Sequence, residues 1–101
     1  MVINGIDISD DFIKQEVRKY SISELAVFGS ILTDEFSPQS DVDLLVTFKE
    51  DADVGLFDLM SMRREFSEYL HRDVDIVEKA AIKNPYRRKN ILSTYRVLYA
   101  A

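Results

Sequence analysis

The chain has 101 residues, of which 47% are hydrophobic and 31% are charged, so it is long enough for one domain, over residues 1–101, with a core of its own. It contains no cysteine, which excludes disulfides and thiolate metal ligands. The formal net charge of −5 argues against direct nucleic-acid binding, because such binding depends on many Lys and Arg contacts with phosphates.

Charge is distributed unevenly along the chain. Residues 1–61 contain four Lys or Arg and thirteen Asp or Glu, whereas residues 62–101 contain nine and five. The two parts can attract each other within the fold, or can mark a metal site and an anion or partner surface. No apolar run reaches the length of a membrane span, and the first residues lack the pattern of a secretory signal. We therefore expect a cytoplasmic protein that does not enter a membrane.

The first quarter of the chain predicts a helix followed by a strand. Ser9 or Asp10 can cap the helix. Its apolar residues at helical spacing are Ile13, Val17 and Tyr20. The stretch ELAVFG (24–29) predicts a short buried strand, and Gly29-Ser30 then turns the chain into a short helical segment.

The middle of the chain predicts a strand, a connection and a long helix. FSPQS (36–40) is typical of a loop, and the nearly continuous apolar run in DVDLLVTF (41–48) predicts a strand buried on both faces. After a connection at 50–55, residues 56–70 follow the helical period. The apolar residues of this helix that we expect to face the core are Leu56, Leu59, Met60, Phe66 and Leu70.

The last third predicts a third strand and a final helix. DVDIVE (73–78) has the composition of the earlier strand. Asn84 is a suitable N-cap and Pro85 a suitable first helical residue. The expected apolar stripe of the final helix is Leu92, Tyr95, Leu98 and Tyr99. The order of elements predicts an α/β (α+β) fold, with a small mixed sheet flanked by helices.

Two pairs of aspartates open two of these apolar strands. Asp41 and Asp43 point to the same face because alternate residues of a strand do so, with Cα atoms about 6–7 Å apart. Asp75 lies in the later strand, two residues after Asp73. An isolated Asp-x-Asp is more often the solvated start of a strand. If the two strands are neighbours, however, three carboxylates can converge. Carboxylates that close repel and raise one another's pKa unless a hard cation such as Mg²⁺ neutralises them.

The Gly29-Ser30 pair ends the first apolar strand. Glycine permits close backbone approach, and free N–H groups and a hydroxyl after such a turn can bind an anion. A Gly-Ser pair by itself is usually only a turn. Its value here lies in its spacing, because ten residues separate it from Asp41-Val42-Asp43.

Gly-Ser, ten residues and Asp-x-Asp together resemble the signature of the DNA polymerase beta-like nucleotidyltransferases. The motif FGS…SDVDLLV and the C-terminal segment NPYRRKNILSTYRVLYA are similar to sequences of the minimal nucleotidyltransferase (MNT) branch. The resemblance covers roughly residues 20–100. The resemblance implies transfer of a nucleoside monophosphate from ATP. It implies that Asp41, Asp43 and Asp75 hold two Mg²⁺ ions, and that Gly29 and Ser30 bind the triphosphate.

One segment departs from the family pattern. Many relatives have a basic residue shortly after Gly-Ser, where this chain has Ile31-Leu32-Thr33-Asp34, so we expect a weaker hold on the triphosphate. The basic residues Arg87, Arg88 and Lys89 can compensate if the last helix folds back over the site; the commoner alternative is a solvated basic face.

The resemblance also suggests an acceptor. Minimal domains of this type resemble the antitoxins of HEPN/MNT toxin–antitoxin pairs, which neutralise a HEPN ribonuclease toxin by transferring AMP to a tyrosine hydroxyl, by binding, or by both. We therefore expect a protein adenylyltransferase antitoxin in a hetero-oligomeric complex with a HEPN-domain toxin. The alternatives are a non-catalytic antitoxin and a nucleotidyltransferase subunit with a small-molecule acceptor.

Overall fold

The computed structural model describes all 101 residues and contains six strands and three α-helices. The strands are β1 (Val2–Ile3), β2 (Ile6–Asp7), β3 (Ile22–Phe28), β4 (Val42–Phe48), β5 (Val74–Glu78) and β6 (Arg96–Ala100). The helices are α1 (Asp10–Lys19), α2 (Leu56–Leu70) and α3 (Pro85–Ser93). None of the helices has the length and apolar character needed to cross a membrane.

The main sheet is mixed and has the strand order β5–β4–β3–β6. β4 pairs in parallel with β5 and antiparallel with β3, and β6 pairs antiparallel with the other edge of β3. In this register Asp43 lies opposite Phe28 on one side and opposite Asp75 on the other. The expected mixed sheet with flanking helices is therefore confirmed, and the condition for bringing the three carboxylates together is met, because the two aspartate-bearing strands are neighbours.

Alternation along β4 sends its side chains into two separate cores. Val42, Leu44 and Val46 join the larger core with residues of α1 and α2. Leu45 joins a smaller core that also contains Ala26, Phe28 and Ile91. Because Ile91 belongs to α3, the smaller core lies under that helix. Asp43 shares the face of Leu45, since alternate residues of a strand point the same way, and so lies on the α3 side of the sheet.

The long helix α2 has the predicted bounds but not the whole predicted inner face. Phe66 and Met62 are buried in the larger core, and Leu59 packs against it. Leu56 and Met60 were expected in the core and are 71% and 57% exposed, so this part of the prediction is wrong. Leu56 is the first residue of α2, and Met60 is rotated by about 100° from Leu59, so both project away from the core.

The C-terminal part of the chain corrects the predicted final helix. Asn84 caps α3 by accepting hydrogen bonds from the N–H groups of Tyr86 (3.0 Å) and Arg87 (3.1 Å), and Pro85 is its first residue, as expected. The helix ends at Ser93, however, and Arg96–Ala100 is a strand. The stripe expected to continue through Leu98 and Tyr99 is therefore wrong, because the open edge of β3 recruits this β-branched and aromatic segment as β6.

A small N-terminal hairpin was not predicted and contacts the segment that follows Gly29-Ser30. β1 and β2 are joined by Asn4 and Gly5, both at positive φ (50° and 82°), as a type I′ turn requires. The Asn4 side-chain nitrogen donates hydrogen bonds of 3.0 Å to the backbone oxygens of Ile31 and Thr33. The hairpin therefore tethers the turn beside the candidate site.

Candidate active site

The candidate site is centred on Asp43, which faces Asp75 across the parallel β4–β5 pair. Burial raises the pKa of the Asp43 carboxyl, and the negative charges of Asp75 and Asp41 raise it further, while the positive charge of Arg87 opposes them. The three aspartates singled out in the sequence are thus within electrostatic reach of one another. In the absence of a cation their mutual repulsion disfavours the ionised state of Asp43.

The three carboxylates nevertheless do not form a ready-made metal cage. No group of three or more His, Asp or Glu side chains is arranged for metal binding. Asp41 lies just before β4 and is exposed, Asp75 is exposed, and Asp43 is half-buried. An all-oxygen donor set of this kind fits a hard cation such as Mg²⁺, which keeps several waters and needs few protein ligands. The residues present therefore fit the expected ion.

Gly29 packs directly against Asp43. It has φ of +80°, a conformation that favours glycine, and a Cβ atom at this position would overlap Asp43 Oδ2 and lie 3.3 Å from its Cγ. This glycine is therefore required both by the backbone and by the neighbouring acid. The Gly-Ser pair and the Asp-x-Asp pair, separated in the sequence, are in contact in the fold.

The segment that begins at Gly29 is too short to form an α-helix. Gly29–Leu32 forms a single 3₁₀ turn, which is closed by hydrogen bonds from Thr33 N (2.9 Å) and Thr33 Oγ1 (2.8 Å) to the Ser30 carbonyl oxygen. These contacts use the Ser30 backbone and leave its hydroxyl available to a ligand. So short a turn supplies little dipole, so any anion binding here depends on local N–H and O–H groups.

A cavity of about 340 Å³ opens next to Gly29, between the 3₁₀ turn and α3. Its walls are formed by Phe28, Gly29, Leu32, Thr33, Asn90, Ile91 and Thr94. Pockets of this size hold small molecules. The α3 wall was not predicted, because Asn90 and Thr94 match no motif and reach the site only through the packing of Ile91.

Three other residues considered from the sequence, Asp73, His71 and Arg88, lie outside this centre. The Asp73 carbonyl oxygen accepts a hydrogen bond from Val42 N (3.0 Å), and its side chain is exposed. His71 is the exposed C-cap of α2, as expected for a helix end. Arg88 is directed away from the acids, because its Nη1 donates to the Lys79 carbonyl oxygen (3.0 Å). Arg87 is the basic residue that acts on Asp43.

Comparison with known proteins identifies the family. A family profile described as a nucleotidyltransferase domain matches residues 11–98. The chain belongs to the nucleotidyltransferase domain family. The resemblance drawn from the Gly-Ser and Asp-x-Asp motifs is thereby confirmed.

Two proteins named as protein adenylyltransferases are similar in sequence. A candidate protein adenylyltransferase of Methanocaldococcus jannaschii is 41% identical over 74 residues, which cover 73% of this chain and 74% of the relative. Protein adenylyltransferase MntA of Thermococcus cleftensis is 33% identical over 72 residues, covering 70% of this chain and 71% of the relative.

Solved structures share the nucleotidyltransferase fold. A toxin–antitoxin crystal structure with AMP-PNP superposes with a TM-score of 0.74 at 16% identity, covering 93% of this chain and 75% of that one. A complex of a tri-AMPylated Shewanella oneidensis HEPN toxin with an MNT antitoxin gives 0.65 at 16% identity, covering 90% and 69%. At these identities the likeness establishes the fold.

Proposed function

We propose that this nucleotidyltransferase is a protein adenylyltransferase antitoxin, which transfers AMP from ATP to a tyrosine hydroxyl of a partner HEPN ribonuclease toxin and so neutralises it. The observation that carries the proposal is the position of Asp43, between the backbone of Gly29 and the carboxylate of Asp75. This arrangement puts a candidate metal ligand beside a candidate phosphate-binding turn. The protein adenylyltransferases among the similar sequences support the choice of reaction.

The three aspartates are the proposed ligands of two Mg²⁺ ions. Bound at Asp41, Asp43 and Asp75, Mg²⁺ would supply charge neutralisation to the attacking and leaving oxygens of the phosphoryl transfer. The repulsion that raises the pKa of Asp43 supports this role, because a cation removes it.

The remaining parts of the reaction fall to groups of the chain and its substrates. The tyrosine oxygen attacks the α-phosphorus of ATP, a new P–O bond forms, the bond to the β-phosphate bridging oxygen breaks, and pyrophosphate leaves. Asp75 assists removal of the hydroxyl proton. Gly29 and Ser30 hold the triphosphate, and the adjacent 340 Å³ cavity receives part of the nucleotide. Positioning of the reactants then provides much of the rate.

A protein acceptor fits the open shape of the site. The cavity beside Gly29 is bounded on one side by a single turn and on the other by the short helix α3. A large partner can complete such a site by bringing its own tyrosine. The solved neighbours that contain a HEPN toxin with an MNT antitoxin suggest what this partner is.

The proposal is tested by incubating the protein with the proposed partner, a HEPN-domain toxin, with ATP and Mg²⁺, and recording the intact mass of the partner. We expect a gain of one or more AMP units, located on tyrosine. The double variant Asp41→Asn/Asp43→Asn should abolish the gain, and Asp73→Asn, which changes a neighbouring acid outside the cluster, should preserve it. No mass gain with the wild-type protein would overturn the transferase assignment.

A second candidate function is neutralisation by binding alone. It is favoured by the segment Ile31–Asp34, which has no basic residue, and by the exposed apolar side chains of Leu56, Phe57 and Met60 on α2. The same double variant separates the two functions in cells. If it still protects against the toxin as well as the wild type does, chemistry is not needed.

A further inference from the structure

The segment that carries both motifs contains no positive charge. From Tyr20 to Phe48 there is no Lys or Arg, whereas there are five acids, Glu24, Asp34, Glu35, Asp41 and Asp43. A nucleoside triphosphate is strongly negative, so its binding beside these acids is favoured by the proposed Mg²⁺ ions and by basic side chains from other parts of the chain. Neither flanking lysine is placed to serve the site, because Lys19 pairs with Glu65 at 2.8 Å and Lys49 follows the end of β4 that is remote from Asp43.

α3 supplies the opposite wall of the site and carries a row of residues toward it. Asn90, Ile91 and Thr94 line the cavity beside Gly29. Arg87 stands four residues before Ile91, and residues spaced in this way lie on the same face of a helix. Arg87 therefore lies on the face of α3 that borders the cavity.

The guanidinium of Arg87 has no structural partner. It takes part in none of the three ion pairs of the structure, and its side chain makes no hydrogen bond, whereas the neighbouring Arg88 is held by the Lys79 carbonyl oxygen. Arg87 also lies in the first turn of α3, where the helix dipole disfavours a cation. An arginine at position 87 therefore stabilises neither the helix nor the core.

We infer that Arg87 binds the phosphates of the nucleotide from α3, in place of a cation from the segment after Ser30. Guanidinium groups suit this task because they donate two parallel hydrogen bonds to phosphate oxygens. The inference rests on the proposed function for the nucleotide, but it does not depend on which acceptor receives AMP.

The test compares the affinities of Arg87→Gln, Arg87→Lys and Lys89→Gln for MgATP and for adenosine, measured by calorimetry or competition. Lys89 is an exposed residue of the same helix, so its variant loses the same charge away from the cavity. We expect Arg87→Gln to weaken MgATP binding about tenfold or more while leaving adenosine binding unchanged. Arg87→Lys should recover part of the loss, and Lys89→Gln should bind MgATP as the wild type does.

The inference would be overturned if Arg87→Gln left the affinity for MgATP unchanged, or if it lowered the affinities for MgATP and adenosine equally. Lack of MgATP binding by the wild-type protein would overturn it together with the proposed function. Binding that depends on Arg87, without modification of the partner, would overturn the proposed function alone.

Discussion

The backbone of Gly29 lies against the carboxylate of Asp43 so closely that position 29 has no space for a side chain. The turn proposed to hold phosphate and the acid proposed to hold metal therefore form one steric unit. Any group added to the glycine moves the acid, and any movement of the acid opens a gap at the turn.

Gly29→Ala tests this contact. We expect about 1 kcal/mol of destabilisation from the positive φ and a loss of transfer rate of about 100-fold, because the new Cβ displaces Asp43. Gly5→Ala is the matched control, since Gly5 has almost the same φ (82°) but a Cβ added there would meet no atom within 4 Å. Thermal unfolding and transfer assays measure both effects. Equal rate losses in the two variants would show that the contact with Asp43 is unimportant.

Asp43→Asn should lower the transfer activity and raise the stability of the fold. Because burial and two neighbouring acids raise the pKa of Asp43, its ionisation weakens the fold as pH rises through that pKa. Without Mg²⁺ at neutral pH, the variant should therefore unfold at a higher temperature than the wild type.

Two further measurements complete this test. The advantage of Asp43→Asn should disappear at acid pH, where the wild-type carboxyl is protonated, and the variant should lose the stabilisation that Mg²⁺ gives the wild type. Asp73→Asn is the control and should retain the response to Mg²⁺. A variant that is less stable than the wild type at neutral pH would contradict the electrostatic account.

A second acidic pair, remote from the candidate site, should make stability depend on pH. Glu16 is 2% exposed and its Oε2 has no hydrogen-bond partner. Burial raises the pKa of Glu16 to about 7, helped by the negative charge of Glu65 and opposed by the positive charge of Lys19. Glu65 accepts hydrogen bonds from Lys19 Nζ (2.8 Å) and Tyr20 Oη (2.8 Å), which outweigh its burial and lower its pKa.

Between the ordinary pKa of 4.5 and about 7, folded Glu16 keeps a proton that the unfolded chain releases, so its contribution to stability is lost as pH rises through this range. Glu16→Gln should remove this loss. Relative to the wild type it should gain up to about 3 kcal/mol between pH 4 and pH 8, since each unit of pKa is worth about 1.4 kcal/mol. Denaturant unfolding measures the difference, with the exposed Glu68→Gln as control; parallel pH profiles for wild type and Glu16→Gln would refute it.

Two phenylalanines of α2 should differ sharply in their contribution to stability. Phe66 is fully buried, and Phe66→Ala should cost about 3–5 kcal/mol. Phe57 is 83% exposed, and Phe57→Ala should change the free energy of unfolding by about 0.5 kcal/mol or less. Chemical denaturation checks both values. A large cost at Phe57 would mean that the N-terminal turn of α2 is covered in solution.

The elements that were predicted well are those whose signals are local. Ser9 and Asn84 accept hydrogen bonds from the first N–H groups of their helices, and the apolar run of β4 reflects its position inside the sheet. The Asn4-Gly5 hairpin also has a local signal, which was overlooked.

The wrong or missing predictions concern segments whose structure depends on contacts with residues distant in the sequence. Leu98 and Tyr99 fit a helical stripe, but the free edge of β3 makes them a strand. At the site, the motif brought Gly29, Asp43 and Asp75 into consideration, whereas the cavity wall from α3 depends on how Ile91 packs on Phe28 and Leu45. No pattern of spacing in the sequence contains that information.

The pairing of Phe28 with Asp43 across β3 and β4 has a consequence for how the family is detected. This register brings the acid to the glycine, while the ten residues between Ser30 and Asp41 leave the sheet and return to it. A chain with a longer excursion would deliver the same acid to the same glycine, provided that its strands paired alike. A search pattern with a rigid gap therefore selects for loop length, and it passes over proteins that build the same site with a loop of another size.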